Sequence, residues 1–392
     1  MSVPHPPRVL AAAALAPVRE RLAELGFDEA RCARRLGLGS MRNAVPRMAV
    51  RQAQGAKDRF PREPQEPLDL LIALFLFVEP QPLTPVRAAL GAPAWDALLA
   101  AGLLRQEGRD AAANVILFPC AGLLLATDNL DDDGVTNRVM PLFSESYDLA
   151  ALAVRAPVEA ALDLCTGSGI HALLASRHAG RAVGVDVSPR ALAFADLNAR
   201  LNGIENAEFV RGDLYAPVEG SRFGLITANP PYNPELASRA GDDYHSGGES
   251  GEEILSAIVR RLPEFLAPGG HGQIVSLFVH RQGDPLPERI GSWLGPARDA
   301  LDVLVTHRPV DYRAQVLKGE ALSPEEQALH QSWKRQGIAS FSFGMVHLRW
   351  TPAGRRPFFV EGSFGEGLRG PGPLAVAEKM EALSLDTRQR NP

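Results

Sequence analysis

Cysteine is scarce in this chain of 392 residues: Cys32, Cys120 and Cys165 stand far apart, with no CxxC pair among them. That spacing supplies no disulfide framework and fits a reduced, cytoplasmic protein. Long apolar runs are missing as well. Leu70–Val78 (LLIALFLFV) falls well short of the roughly 20 residues that span a bilayer and reads as a buried core helix. Leu10–Ala16 follows Arg8 in the manner of a signal peptide, but Arg19, Glu20 and Arg21 come at once inside one amphipathic helix, so no signal peptide is expected. There is no strong excess of one charge either. A net charge of −5 does not mark a general nucleic-acid binder, and no internal repeat is visible. The balance conceals an asymmetry: residues 1–62 carry 12 Lys/Arg against 5 Asp/Glu, a local +7 that leaves −12 elsewhere. Such an arm could meet a phosphate backbone or an acidic partner, although charge runs are usually just solvated faces.

What is present divides the chain, which is too long for one core. Residues 1–62 read as a basic helical arm, helical over 8–60, ending in the Pro-rich linker Phe60–Pro67. Residues 63–136 predict helices at Leu68–Val78, Thr84–Leu90 and Ala94–Ala101. Two extended runs follow, Leu103–Gln106 and Val115–Phe118, joined as a hairpin across Gly108-Arg109-Asp110. Three helices and a hairpin are the order of a winged-helix unit. Its third helix carries almost no positive charge, so substrate docking or dimerisation is expected rather than specific DNA reading. The acidic bend Asp128–Gly134 lacks the spacing of a calcium loop and reads as a turn. Residues 353–392 form a Gly/Pro-rich tail.

Residues 137–352 alternate apolar strands and helices, as a doubly wound α/β sheet does. The predicted strands are Ala160–Leu164, Ala182–Val185, Ala207–Arg211, Phe223–Ala228, Gly272–Phe278, Leu301–His307 and Ser340–Trp350. Helices are expected at His171–Arg177, Pro189–Leu201 and Glu252–Leu266. The first strand runs through Asp163 into Cys165-Thr166-Gly167-Ser168-Gly169, a glycine-bearing turn before a helix, suited to close approach of a ligand. Alone, this also satisfies a dinucleotide fingerprint, so a nicotinamide-dependent oxidoreductase stands as a rival.

Three further strand ends separate the readings. Asp186 closes the second strand where a carboxylate could accept both hydroxyl protons of a ribose diol. Asp213, followed by Leu214, closes the third, where it could accept from an adenine amino group. The fourth runs directly into Asn229-Pro230-Pro231-Tyr232, for which a dinucleotide enzyme has no use. The Asn229 amide oxygen and the Pro230 carbonyl can both accept from one NH2 group, the prolines stiffen the loop, and Tyr232 offers a flat face to a planar amide or base. Held this way, the nitrogen lone pair faces an incoming methyl group, and no strong general base is required.

On these motifs, residues 137–280 resemble the class I methyltransferases, and within them the Asn-Pro-Pro-Tyr group. That group includes the glutamine methyltransferases of peptide-chain release factors and the adenine and guanine N-methyltransferases of RNA and DNA. The resemblance implies a Rossmann-like, seven-stranded α/β sheet behind an N-terminal helical, winged-helix-like domain. It implies S-adenosylmethionine bound by Asp163, Cys165, Thr166, Gly167, Ser168, Gly169, Asp186, Asp213, Leu214 and Asn229, with the acceptor nitrogen held by Asn229, Pro230, Pro231 and Tyr232. His245–Gly251 resembles the Gly-Gly-x-x-Gly stretch of the release-factor enzymes, and Ala267–Gly270 the turn before their next strand. Three features depart from the pattern: Cys165 stands where glycine is common, residues 8–128 differ from the release-factor enzymes' helical domain, and Asp311–Gly337 is an additional charged helical segment.

The expected acceptor is a protein glutamine or an RNA base; a small metabolite or a natural-product peptide is the alternative. A non-catalytic docking module that keeps a cofactor pocket as a sensor is a further alternative, and an O-methyltransferase would want a general base that the sequence does not offer. No membrane partner is expected. His171 reads as packed or solvated, Ser144–Tyr147 as a helix N-cap, and His280, His307 and His347 lack metal-ligand spacing, so no metal is assigned.

Overall fold

A computed structural model describes residues 6–43, 64–129, 137–234, 246–311 and 323–363. Parts of several expected features lie outside these residues: 44–60 of the N-terminal helical region, 130–134 of the acidic bend, His245, 312–322 of the additional segment and the tail from 364.

In chain order the elements are α1 (Ala12–Glu24), α2 (Glu29–Arg35), α3 (Pro67–Leu71) continuing as a π-helical turn (Ile72–Leu76), β1 (Gln81–Pro82), α4 (Leu83–Ala100), β2 (Leu104–Glu107), β3 (Asp110–Ala113), β4 (Val115–Cys120) and β5 (Leu123–Asp128). Then come α5 (Ser144–Leu152), β6 (Val158–Leu164), α6 (Ile170–Ala175), β7 (Ala179–Asp186), α7 (Pro189–Asn202), β8 (Ala207–Arg211), β9 (Phe223–Ala228) and α8 (Glu253–Phe265). The last are β10 (Leu266–Arg281), α9 (Leu286–Leu294), β11 (Leu301–Val310), α10 (Pro324–Arg335), β12 (Ile338–Trp350) and β13 (Phe359–Ser363). None of the described helices is long and apolar enough to cross a membrane.

Contacts group these residues into two units. The first comprises the chain up to Tyr147 together with Thr166–Leu173 and Asp186–Arg211. Its helix α1 buries Leu15, Val18 and Leu22 on one face, while Arg21 donates to the Ala89 carbonyl of α4 at 2.7 Å. Arg35 of α2 grips the fully buried Asp69 of α3 through two bonds of 2.6 and 2.8 Å, a bidentate geometry that suits a desolvated carboxylate. The two helices expected over 84–101 run on as α4, broken at Gly91, whose φ of 71° is left-handed.

The hairpin of this unit differs from expectation. Across Gly108-Arg109, β2 pairs with Asp110–Ala113 rather than with Val115–Phe118, and β1 adds to β3 in the order β1-β3-β2. Three consecutive alanines carry little strand propensity, yet a two-residue turn makes them the nearest partner. Val115–Cys120 instead forms a second hairpin with β5 across Ala121-Gly122, both at positive φ.

The second unit comprises Asp148–Cys165, Leu174–Val185 and the chain from Gly212 onward. It contributes seven strands of an eight-stranded sheet, in the order β13-β11-β12-β10-β9-β6-β7; the eighth strand, β8, groups with the first unit. Pairing is parallel from β7 to β10, and β12 runs antiparallel between β10 and β11. All seven expected strands are present. The sheet holds one more: β13, inside the expected tail, pairs in parallel with β11. Gln273 of β10 ties this core to the chain after α5, accepting from Val154 N–H at 2.6 Å and donating to the Leu152 carbonyl at 2.9 Å.

Buried histidines make the fold acid-sensitive. His347, with its Nδ1 2.9 Å from the Gln273 amide, is pushed down to about 3 by burial and then by the neighbouring His271. In the first unit, burial takes His171 to about 3. Unfolded histidines take up protons below about pH 6.5 while these two stay neutral, so stability is full above that pH and falls on acidification toward pH 3. Each histidine contributes a slope of about 1.4 kcal/mol per pH unit. Urea unfolding from pH 7 to pH 5 should show this loss, and His171→Leu should flatten it; a stability independent of pH over that range would refute the assignment.

Candidate active site

The site residues begin where parallel strands end. Leu164 of β6 pairs with Val185 of β7 on one side and with Ala228 of β9 on the other. Cys165 and Asn229 are therefore the first residues beyond the ladder on adjacent strands. From β6 the chain proceeds to β7 on one side and returns as β9 on the other, and ligands of open α/β sheets bind at such a reversal. Just inside the ladder, the Thr227 hydroxyl donates to Asp163 Oδ1 at 2.8 Å, with both residues buried. Cys165 has φ 55°, in the left-handed region where a side chain costs about 1–2 kcal/mol. The departure from glycine noted in the sequence thus falls on a position with a conformational reason to prefer glycine.

In the first unit, Thr166–Gly169 forms a turn closed by Gly169 N–H donating to the Thr166 carbonyl at 2.8 Å. Gly169 has φ 86°, and a Cβ there would lie 3.0 Å from the Ala195 Cβ and 3.2 Å from the Phe209 ring, so a side chain at this position would be both strained and crowded. Gly167 N–H donates to Asp186 Oδ2, and Ser188 N–H to Asp186 Oδ1, each at 2.9 Å. Burial pushes the Asp186 carboxyl up from its ordinary range, and these backbone donors partly offset it. The Val187 N–H also bonds this carboxylate, which retains acceptor capacity for a further donor such as a ribose hydroxyl.

Behind this turn sits a residue that the sequence did not single out. Asn198 of α7 is fully buried. It accepts from Ala126 N–H of β5 at 2.8 Å and donates to the carbonyls of Ala126 and Ser168 at 3.0 and 2.9 Å. One turn later on the same helix, Asn202 accepts from Leu124 N–H and donates to the Leu124 carbonyl. Asp128, read as part of a turn, closes β5 as a buried partner of Arg190 and also accepts from Val139 N–H. The hairpin β4-β5 is thereby bonded to α7 and, through Asn198, to the glycine turn. His171 is buried in α6, packed as expected.

In the second unit, Asp213 is exposed and Leu214 has φ 46°. Their loop is anchored by the next residue, since Tyr215 stacks on Phe265 at 4.3 Å and donates to the Ile258 carbonyl. Asn229–Tyr232 leaves β9 and is embraced by the Gly-Gly-x-x-Gly stretch. Gly247 N–H donates to the Asn233 carbonyl at 2.8 Å. A Cβ on Gly247 would sit 2.7 Å from Tyr232 Cα and 2.9 Å from the Pro231 carbonyl; one on Gly251 would sit 2.5 Å from the Tyr232 carbonyl. Only bare backbone fits against this loop. Next in sequence, Glu252 is buried and accepts from Arg281 and Arg289, each at 2.9 Å, which ties the glycine stretch to β10 and α9. The Tyr232 ring meets Phe343 edge-on at 6.1 Å.

The remaining singled-out residues behave differently. His280 bonds to Ser342 at 2.7 Å and His307 to Glu361 at 2.6 Å. Ser144–Tyr147 starts α5, where the Tyr147 ring lies edge-on to Phe118 at 6.2 Å. Thr227 and Asn198 escaped sequence reading because Thr227 looks like an ordinary strand residue and Asn198 like a polar helix position.

The methyltransferase small domain family matches residues 149–282. The release factor glutamine methyltransferase of Cereibacter sphaeroides is 33% identical over 243 residues, covering 59% of this chain and 82% of that protein. The ribosomal protein uL3 glutamine methyltransferase of Bradyrhizobium diazoefficiens is 39% identical over 125 residues, covering 29% of this chain and 39% of that protein. The release factor glutamine methyltransferase of Thermodesulfovibrio yellowstonii is 35% identical over 120 residues, covering 28% and 43% respectively.

Two substitutions probe the two halves of the site. Asp186→Ala should weaken S-adenosylhomocysteine binding about tenfold or more by calorimetry, the loss of a charge-assisted bond to the ligand; an unchanged affinity would remove Asp186 from the cofactor site. Gly247→Ala must push backbone aside at the Asn229–Tyr232 loop, so it should cut methyl transfer by about a hundredfold while the cofactor still binds. Equal losses of binding and turnover would contradict that division. Sequence motifs, strand register and relatives agree: the chain belongs to the S-adenosylmethionine-dependent methyltransferases, in the N-methylating group that includes the glutamine methyltransferases.

Proposed function

We propose that the protein methylates the side-chain amide nitrogen of a glutamine within a protein acceptor. The observation that carries this reading is the clasp of the chain at Pro231–Asn233 by Gly247 and Gly251, directly after the Asn229 and Pro230 acceptors at the end of β9. The names of the relatives, which are release factor and ribosomal protein glutamine methyltransferases, favour a protein amide. In this reading residues 137–352 are the catalytic domain. Residues 63–136 dock the acceptor or a second chain, and the 1–62 arm meets an acidic or phosphate-bearing surface.

The residues fit the cofactor. Position 169 is left bare by a left-handed backbone in crowded surroundings, and Asp186 keeps acceptor capacity beside its backbone donors. Asp186, Gly167 and Gly169 would hold the ribose and the amino-acid end, Asp213 and Leu214 the adenine, with Asp163, Cys165, Thr166, Ser168 and Asn229 completing the set. When bound, S-adenosylmethionine supplies an electrophilic methyl group on a sulfonium. An amide nitrogen is a weak nucleophile because its lone pair is shared with the carbonyl. Asn229 and the Pro230 carbonyl each accept one N–H of the amide, fixing its rotation and drawing charge toward nitrogen. Tyr232 covers the amide plane. The surplus proton leaves to solvent after transfer, so positioning carries the catalysis.

The test is transfer of labelled methyl groups onto purified release factors, ribosomal proteins and total RNA, followed by mass spectrometry of the product. Label on a glutamine amide is expected, and label confined to RNA would overturn the proposal. Asn229→Ala should abolish most turnover, by about a hundredfold or more, and leave S-adenosylhomocysteine affinity within a few-fold.

A further inference from the structure

The additional segment Asp311–Gly337 has no role in the reading above, yet its described helix α10 is tied to the acceptor loop and its glycine clasp by two sets of contacts. The first is apolar. Tyr232 packs on a cluster formed by Leu277 and Val279 of β10, Leu329 and Trp333 of α10, and Ile338 and Phe341 of β12. Trp333 is fully buried there, edge-on to Phe341 at 5.0 Å. The second is polar. Glu249, between the two clasping glycines, accepts from the Ser332 hydroxyl at 3.2 Å through its carboxylate and from the Gln336 amide at 3.3 Å through its carbonyl. Gln336 also donates to Ser332 at 3.0 Å, which binds the two latch residues to each other.

The helix is built to hold this position. Ser323 and Glu326 form a reciprocal capping box at its start, so its first turn is closed without outside partners. Its last turn carries both Trp333, a member of the cluster on which Tyr232 packs, and Ser332, which with Gln336 bonds the glycine stretch at Glu249. The Tyr232 ring is the surface offered to a planar acceptor group, so whatever sets its tilt sets which acceptors fit.

We propose that α10 is a positioning element for the acceptor, with Trp333, Ser332 and Gln336 setting the placement of Tyr232 and hence acceptor selectivity. The proposal rests on the loop's role in holding the acceptor amide. It predicts a split: loosening α10 weakens acceptor binding and leaves the cofactor untouched.

The decisive variant is the double substitution Ser332→Ala with Gln336→Ala, which cuts the latch without opening the core. Amide hydrogen exchange at Tyr232, Asn233 and Gly247–Gly251 should accelerate about tenfold, and KM for the glutamine-bearing protein should rise about five- to tenfold, the equivalent of roughly one lost hydrogen bond. S-adenosylhomocysteine affinity should not change. Ser332→Thr, which keeps the hydroxyl, should retain parental KM. Unchanged exchange in the double variant overturns the proposal, as does an equal loss of cofactor affinity. If the parent protein methylates no glutamine, the proposed function fails, while the exchange measurement still decides the role of α10.

Discussion

Two consecutive prolines cannot tie themselves down. Pro230 and Pro231 have no N–H to donate, and Pro234 repeats the deficit three residues later. A loop of this kind has to be fixed from outside, by accepting hydrogen bonds and by close packing. The structure meets that requirement in three ways. The Asn233 carbonyl takes Gly247 N–H, Gly247 and Gly251 bring bare backbone against the chain, and the Tyr232 ring is seated on an apolar cluster. The glycines are needed because a loop poor in donors must be approached closely by its neighbour. Methylation of an amide by positioning alone demands this stiffness, because a misplacement of about 1 Å can cost a hundredfold in rate.

The cofactor turn solves a different problem. A strand with an unpaired edge leaves its N–H and C=O groups without partners, and β5 is buried along its whole length. Asn198 and Asn202 supply those partners from α7, and Asn198 spends its second donor on the Ser168 carbonyl. The N-terminal hairpin and the glycine turn therefore share one buried amide. Satisfying a backbone edge and orienting a ligand turn become the same interaction.

Local patterns made much of this visible in advance. Phe223–Ala228 was readable to the residue as a strand because six apolar-rich positions stop at Asn229-Pro230, and Pro189–Leu201 because Ser188 and Pro189 announce a helix start. Asp186 and Gly167 were singled out separately, and a backbone hydrogen bond joins them. The features that escaped depend on partners distant in sequence. β13 is a short half-exposed strand that becomes one only by pairing with β11. The alanines of β3 are a strand because a two-residue turn delivers them to β2. Asn198 is an ordinary helix position until β5 lies beside it, and the glycines at 247 and 251 acquire their reason only from the loop that they clasp.

The network around Glu252 shows what such a site costs. A buried carboxylate with two arginines is a poor way to gain stability, since desolvating the charges offsets most of their attraction. Its value lies in direction. Glu252 follows Gly251 immediately, and its oxygens are fixed by Arg281, Arg289 and Val279 N–H, so the glycine stretch leaves α8 at a set angle. An apolar residue could fill the same space, but it would not orient the chain against a loop that lacks donors of its own. Removing the Glu252 carboxylate strips both arginines of their buried partner and leaves them only the partly exposed Asp284 as a carboxylate, at a cost of up to about 3–5 kcal/mol. That cost falls on the segment that clasps Tyr232, so stability and acceptor geometry rest on the same ion network.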